Sequence, residues 1–543
     1  MATDITIYAN SSPLGSSKAH ITDSYDKDRP RTVLPTINTQ ICDEADLMPD
    51  THLKELELCP NTGATLVTWD GLDDPQDPFN WPLWRKWWAI GLGLVASFIC
   101  SMNGSILSVA HTAISTEFNI SDGQFPHSYW ATTSWGLGAA VIPLLLFPAM
   151  EDVGVRPVVL GTYFVFVILL IPIGLATNFE TLVVVRFFSG GCVPITSDAV
   201  ASIAANVFEH DRDRSVPVAL YVLVYLGATS LAPVFGAAIL QNLSWRWIGY
   251  VELIVTAALL PVLYLCLPES RGSAILRAKA KVSSREGNRV YLPEEEDSVS
   301  LRLRVAKSLL RPMRMLFTEC VVLVAAIWAA FSLGTIYFFT QSVEKVYGEL
   351  YGWSLIPTGY VQGAVVVGEV LGTLFFLFTN RWYNSSTTRN TEAPGTPIPE
   401  TRLYAAIIGG FFGITAGMLV YAWGTVSPLV STLGLVMVGF GSTAVVTSIA
   451  NYLIDSYAKY AGSALAAVGL VENVAIAFLP LASPSLYEKL GVHWASTLLG
   501  LISLALAYTP FLVIKWGKEI RARSPFMKEA KTCRPEDSEA AAN

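Results

Sequence analysis

From about residue 87 onward, long apolar runs alternate with short polar interruptions. Twelve runs of about 20 residues stand out, at 87–110, 129–148, 158–177, 182–205, 217–240, 247–267, 318–340, 358–379, 403–424, 428–450, 463–483 and 493–515. A helix rising about 1.5 Å per residue crosses a hydrocarbon core of roughly 30 Å with 20 residues. Helix is the expected element because a bilayer offers no partner to a free backbone N–H or C=O. The pattern therefore predicts an all-α membrane protein with twelve transmembrane helices, and the bilayer itself as a partner.

The polar positions divide the runs into two sets of six. Residues 1–80 are polar and rich in Asp, Thr, Ser and Pro, and read as a disordered tail. The stretch WPLWRKWW (81–88) mixes tryptophan with Arg85 and Lys86, a composition suited to the headgroup region. One six-helix bundle is expected over 81–267 and a second over 316–516, joined by a charged linker (268–315) and followed by a tail at 517–543. A weak internal likeness supports duplication: Ser202, Ile203, Ala204 and Glu209 match Ser448, Ile449, Ala450 and Asp455 at constant offset, each stretch leading from the fourth span of a half to its fifth. The loop near 380–402 is polar and proline-containing, and reads as a mobile connection.

Composition agrees with that reading. Hydrophobic residues make up 52% and charged residues 15%, where a soluble domain carries about 25% charged. The net charge of −8 lies largely in the tails, so it says less than the placement of cations. Of 36 Lys and Arg, only Arg246, Lys345 and Lys489 fall in loops on one face and Arg186 within a span, which leaves 32 on the other. That asymmetry places both chain ends in the cytoplasm. The seven cysteines follow no metal spacing, and none falls in an outside loop, so no structural disulfide is expected. MATDITIYAN has no basic region followed by an apolar core, so the first span is expected to direct insertion. Asn119 and, closer to the membrane, Asn242 open outside glycosylation triplets; Asn384 is expected to face the cytoplasm and stay bare.

No metal cluster, phosphate-binding loop, nucleophile elbow or dinucleotide fingerprint occurs, which argues against an enzyme, a cofactor or a nucleic-acid partner. Gly368 and Gly372, four apart, offer a surface for close helix approach. The informative residues are the ionisable ones inside spans: Arg186, Asp198, Glu252, Glu369 and Glu472. Each costs about 2.5–3.5 kcal/mol at a helix centre. Five unpaired would cost on the order of 10–17 kcal/mol, comparable to the stability of a domain. They must pair, line water or, for the acids, take up a proton. Glu369, Glu472 and Asp198 are thus candidates for proton coupling. Each of the two glutamates lies near the middle of its span, and Gln362, two turns before Glu369, extends a polar stripe. The competing reading is that each acid hydrogen-bonds a neighbouring helix and never titrates. Arg186, Gln362, Asn473 and Tyr337 are candidates to line a cavity, with snorkelling the alternative for Arg186 and simple packing for the aromatics. Glu252, near the outer interface, reads as structural.

Several stretches resemble the major facilitator superfamily, and within it the fungal twelve-span drug:proton antiporters. LVTWDGLDDPQDPFNWPLWRKWW (66–88) is similar to that family's segment before the first span. EDVGVRPVV (151–159) resembles its loop between spans two and three, where Glu151, Gly154 and Arg156 take the acid, glycine and basic positions of a gating motif. Arg186 with Gly190 resembles the fourth-span RxxxG motif. LGATSLAPVFGAAI (226–239), with Gly227, Pro233 and Gly236, resembles the fifth-span antiporter motif. WRW (245–247), LPES (267–270) and NYLIDSYAKYAGSALAA (451–467), which contains Asp455, complete a likeness covering about 66–520. Phe147 and Val155 depart from the loop motif, Ala232 and Ala237 from the fifth-span motif, and Asn206 stands where an aspartate is common. Glu472-Asn473 falls where relatives often carry an arginine, which bears on the charge of the cargo.

The resemblance implies two bundles around a central cavity open alternately to either side, as in other repeat-built transporters. It implies export of small molecules, xenobiotics or a secondary metabolite of the same cell, by proton antiport, with Arg186 helping to couple protonation to transport. The expected partners are a small-molecule substrate and protons, for a monomer in the plasma membrane or a vacuolar or vesicular one. Two alternatives stand beside it: an organic-anion exporter or facilitator of the same fold, with Arg186 holding a carboxylate, and a non-transporting membrane receptor that signals through its tails.

Overall fold

The computed structural model describes residues 65–66, 68–71, 73–121, 127–209, 211–285, 290–291, 301–390, 397–457 and 460–532. Eleven helical stretches among them are long and apolar enough to cross a membrane. The last, Ala461–Arg523, has 63 residues, about 95 Å if straight and far more than one crossing needs. Gly491 breaks it with φ 70° and ψ 169°, a left-handed conformation that suits glycine. Spans 11 and 12 lie on either side of that residue, so the crossings number twelve.

Most spans begin and end within a few residues of the apolar runs. The seventh is the clearest exception. It extends over Cys320–Tyr351, past the expected limit of 340, because its polar end is held by neighbours. Glu344 lies 3.5 Å from His111 of the chain just after span 1, and Lys345 lies 3.2 Å from Glu488 near the end of span 11. Span 1 is shorter than its run: the helix Leu83–Met102 stops, and the chain continues as a tight turn over Ile106–Ala110 and a short helix His111–Glu117. Span 8 is likewise interrupted, between Leu355–Val361 and Gly363–Ser385.

Bundle packing rests on small residues, as expected where lipid supplies no hydrophobic drive between helices. In the first half, span 2 (Trp130–Asp152) meets span 4 (Phe179–Val207) with backbones touching. A Cβ at Gly138 would lie 1.8 Å from the Phe187 carbonyl oxygen, and one at Gly190 2.2 Å from that of Trp135. In the second half, span 8 meets span 10 (Pro428–Tyr457) in the same way. A Cβ at Gly368 would lie 1.9 Å from the Val436 carbonyl oxygen, one at Gly372 2.5 Å from that of Phe440, and one at Gly439 2.2 Å from that of Val365. Spans 2 and 4 are the repeat partners of 8 and 10, so the duplication hinted at by the sequence is visible in the packing. Its polar match is looser. Glu209 is exposed beyond the end of span 4, whereas Asp455 is tucked inside span 10.

On one membrane face, called here the linker face, two linker helices cover the bundle ends, Gly272–Arg285 and Leu301–Thr318. Within the expected tail 1–80, residues 1–64 lie outside the described residues, but the part next to span 1 has a definite structure. Thr65–Leu66 pairs in parallel with Val290–Tyr291 of the linker, the one strand pair among the described residues. Asp74 accepts hydrogen bonds from the backbone N–H of Asp70 (2.9 Å) and Gln76 (2.8 Å), and Lys279 of the first linker helix sits 2.7 Å from Asp70. This gives a physical role to the acidic stretch before span 1: it fastens the chain to the linker. Cys100, Cys192, Cys266 and Cys320 are free; Cys42, Cys59 and Cys533 lie outside the described residues. Asn119, at φ 53°, and Asn242 are both exposed.

Candidate functional site

The two halves leave a cavity of about 300 Å³ between them, on the linker-face side of the membrane. The first half contributes Phe147 and Met150 of span 2, Pro194 and Asp198 of span 4, and Tyr221 and Tyr225 of span 5 (Asp211–Leu240). The second contributes Ile449 and Ile454 of span 10, Ser463, Glu472 and Asn473 of span 11, and Arg311 and Pro312 of the second linker helix. Glu472 lies nine residues along its helix from Ser463, about 14 Å deeper. The walls are mainly apolar and aromatic, and the only charged residues among them are Asp198, Glu472 and Arg311. The Tyr221 hydroxyl donates to the Asp198 carboxylate, and its ring lies 6.4 Å from that of Tyr225. Asp198 and Glu472 belong to opposite halves and line the same cavity. Asn473 turns its amide N–H onto the Gly469 carbonyl at 2.8 Å, leaving Oδ1 without a partner.

Above this cavity, toward the other face, the halves are in contact. A Cβ at Gly136 of span 2 would fall 2.9 Å from Ala477 Cα of span 11. Tyr337 of span 7 is fully buried there, its ring stacked 6.1 Å from Trp135 and its hydroxyl 3.4 Å from Thr229. It seals the seam and does not line the cavity. Gln362 is also buried, spending its amide on the Phe339 and Thr340 carbonyls of span 7 at 3.4 and 3.3 Å. The helix break beside it separates it from Glu369, so the expected polar stripe is two separate contacts.

Glu369 is fully buried between spans 8 and 5. Ser230 donates to it at 2.7 Å, and its other oxygen has no partner. Gly227 makes room for it: a Cβ there would lie 3.6 Å from that free oxygen. The rest of the fifth-span motif is also a crossing device. Pro233 leaves the Thr229 carbonyl without its helical partner, and Ser105 of the broken first span donates to that oxygen at 2.6 Å. Gly236 faces the Ile106 carbonyl oxygen, 2.7 Å from where its Cβ would stand.

Arg186 corrects an expectation. It neither snorkels nor lines the cavity. It is fully buried, with Nε donating to the Ala131 carbonyl (3.3 Å), one terminal nitrogen to the Asn103 carbonyl and side-chain oxygen (3.0 Å for the latter), and the other to the Gly104 carbonyl (2.9 Å). The Asn103 and Gly104 carbonyls lie where span 1 stops, at the negative end of its dipole, and Ala131 lies in the first turn of span 2. The arginine thus stands in for the missing helical turn. Asn103-Gly104 was the available signal, an Asn-Gly pair inside an apolar run.

The gating positions form two latches on the linker face. Gly154, at φ 113°, ends span 2 and starts span 3 (Val155–Leu175). Glu269, just after span 6 (Arg246–Cys266), accepts from the first N–H groups of that helix, Val155 at 3.1 Å and Arg156 at 2.9 Å, while Arg156 donates to the Tyr264 carbonyl at 2.8 Å. Glu151 lies in the last turn of span 2; its side chain lies outside the described residues. In the second half Arg402 bridges Asp455 (3.0 Å) and Asn380 (2.6 Å), and Asn380 donates across the halves to Ser215 at 3.2 Å. Sequence reading does not single out Glu269 or Arg402, whose latch partners Val155 and Asp455 lie 114 and 53 residues away. Among the described residues no cluster suited to a metal ion occurs.

A family model described as the Major Facilitator Superfamily matches residues 93–480. Among similar curated proteins, the MFS transporter cpaT of Aspergillus oryzae is 32% identical over 85% of this chain and 92% of its own. The efflux pump bik6 of Gibberella fujikuroi is 29% identical over 85% and 95%. The major facilitator superfamily multidrug transporter FLU1 of Candida albicans is 30% identical over 85% and 76%. Among solved structures, the human organic anion transporter MFSD10 superposes with a TM-score of 0.56 at 14% identity, covering 80% of this chain and all of that one, and the proton:xylose symporter XylE with 0.58 at 15%, covering 80% and 96%. At those identities the likeness speaks for the fold alone. Twelve crossings in two paired bundles, a cavity at their seam and these relatives lead to one conclusion: the chain is a membrane transporter belonging to the major facilitator superfamily.

Proposed function

We propose that the protein exports amphipathic small molecules, xenobiotics or a secondary metabolite of its own cell, by proton antiport with alternating access. The observation that carries this reading is the pair of acids in the cavity, Asp198 from one half and Glu472 from the other. A carboxyl that faces each side of the membrane in turn can load a proton on one side and release it on the other, and a cargo competing for the same space couples the two movements. One pH unit supplies about 1.4 kcal/mol per proton, and 100 mV about 2.3 kcal/mol per charge. The names of relatives support the cargo class: an efflux pump, a multidrug transporter, and the ascochitine biosynthesis cluster MFS transporter of Didymella fabae. The plasma membrane and a monomeric state belong to the same proposal.

The organic-anion alternative loses its first anchor, because every donor of Arg186 that reaches a partner is spent on backbone and Asn103. The test is pH-driven transport in vesicles holding the full chain. Glu472→Gln should abolish the dependence on the pH gradient, and Glu369→Gln should retain it. The opposite result would move the proton to the Glu369 seam, and retention in both would end the antiport reading.

A further inference from the structure

Among the described residues Arg311 is the one cation lining the cavity, and it comes from the linker rather than from a span. Its helix, Leu301–Thr318, runs almost directly into span 7 at Cys320 and packs against spans 2, 7 and 11, so it crosses the seam between the halves at the cavity mouth. The guanidinium is positioned by an aromatic clasp. It lies 5.4 Å from the centre of the Tyr460 ring, Tyr460 meets Phe526 edge-on at 5.2 Å, and Arg314 lies over Phe526 at 5.6 Å. A cation over a ring at this distance is attracted to the ring face without consuming its N–H donors. Among the described residues no carboxylate or carbonyl accepts from Arg311. Its situation is the reverse of that of Arg186, which is as cationic but surrounded by acceptors.

We propose that Arg311 selects cargo, by pairing with a carboxylate or similar oxyanion on a molecule whose apolar body extends inward along the cavity. The charge layout favours that orientation. The deep end carries Asp198 and Glu472, which repel an anion, so an acidic group can be satisfied only at the rim. A planar guanidinium with free donors binds a carboxylate in two parallel hydrogen bonds, geometry an ammonium cannot supply. The proposal rests on the reading of this cavity as the cargo site. It relocates anion recognition from the fourth span to the linker.

The test uses purified full-length protein in nanodiscs and three probes of one shape: naphthalene-1-carboxylate, its methyl ester and 1-naphthylmethylamine, with binding followed by calorimetry. The wild type should hold the carboxylate about tenfold or more tighter than the ester, the range expected of a charge-assisted pair. Arg311→Gln should remove that preference while leaving ester binding unchanged, and Arg311→Lys should restore part of it. If the wild type binds acid and ester equally, or if Arg311→Gln weakens all three probes alike, the arginine only braces the clasp and the proposal is overturned. If no probe binds to any variant, the cavity reading itself fails. If the probes bind, Glu472→Gln changes the amine affinity and Arg311→Gln changes nothing, only the selectivity proposal fails.

Discussion

The two ends of the seam between the halves are built differently. Away from the linker, backbone meets backbone: Gly136 against Ala477 and Gly359 against the Pro233 carbonyl. Toward the linker, the halves stand apart around a cavity and are joined by side chains, such as Asn380 to Ser215. Side-chain ties can be exchanged one at a time at a cost of about 1 kcal/mol each. A glycine seam either closes to contact or opens as a whole. The difference suggests how a rocking transporter keeps two distinct states: one end is held by shape, the other by replaceable polar bonds.

The strongest way to break this comparison is to thicken the closed seam. Gly136→Ala would place a methyl 2.9 Å from the Ala477 backbone, overpacking that typically costs about 1–3 kcal/mol. Gly469→Ala, in the cavity wall with nothing within 4 Å of the new methyl, should be neutral or slightly stabilising through helix propensity. Thermal unfolding of the two variants in the same detergent checks this. Equal stability would mean that the seam yields freely and shape does not hold it.

A second effect, of similar size, concerns the polar contact inside a sealed seam. Ser230→Ala leaves both oxygens of Glu369 without a partner, where now one is satisfied. The expected loss is about 1–3 kcal/mol. Glu472→Gln, on a side chain that lines the cavity, should stay within about 0.5 kcal/mol of the parent. A Ser230→Ala variant as stable as the parent would show that water reaches Glu369, and that the two acids are not in different environments.

Much of this was legible in the sequence, for identifiable reasons. Length and apolarity fix where a helix can cross, so the twelve runs appear as twelve crossings, and Gly368 and Gly372 mark a face for close helix approach without naming span 10 as the partner. Depth in a span marks a charge as costly but does not say which neighbour relieves the cost. Glu369 and Glu472 read alike in sequence, yet one faces span 5 and the other the cavity, because which face of a helix looks inward is decided by packing. Arg186 reads in sequence as lining a cavity or snorkelling, since two of the carbonyls it binds, those of Asn103 and Gly104, are free of helical partners only because span 1 stops at Met102. Arg311 sits in a linker whose composition reads as solvated, and only the path of that helix across the bundle ends brings it to the mouth.

The smallest expected effect tests the polar ties on the linker side. The backbone N–H of Asp70 holds the Asp74 carboxyl below its ordinary range, against the opposing pull of burial, and the Gln76 N–H and Lys279 add to the lowering. A carboxyl whose folded value is depressed stabilises the structure above its unfolded value, about pH 3.9, and loses that contribution as pH falls through the lower folded value. The fastening of the pre-span segment to the linker should therefore be complete at neutral pH and loosen only below about pH 4. Asp74→Asn keeps the turn but replaces one acceptor oxygen by a donor, removing one of the two backbone bonds, about 1 kcal/mol. Amide exchange at Asp70 and Gln76 should be faster in the variant than in the parent at pH 7, and the two should converge as pH drops past 4. Protection of these amides, relative to their intrinsic exchange rates, that does not fall on the acid side in the parent, or a variant indistinguishable from it at pH 7, would mean that the parallel pairing of Thr65–Leu66 with Val290–Tyr291 fastens this segment and the acid does not. The ties on the open side would then be backbone after all, as they are on the closed one.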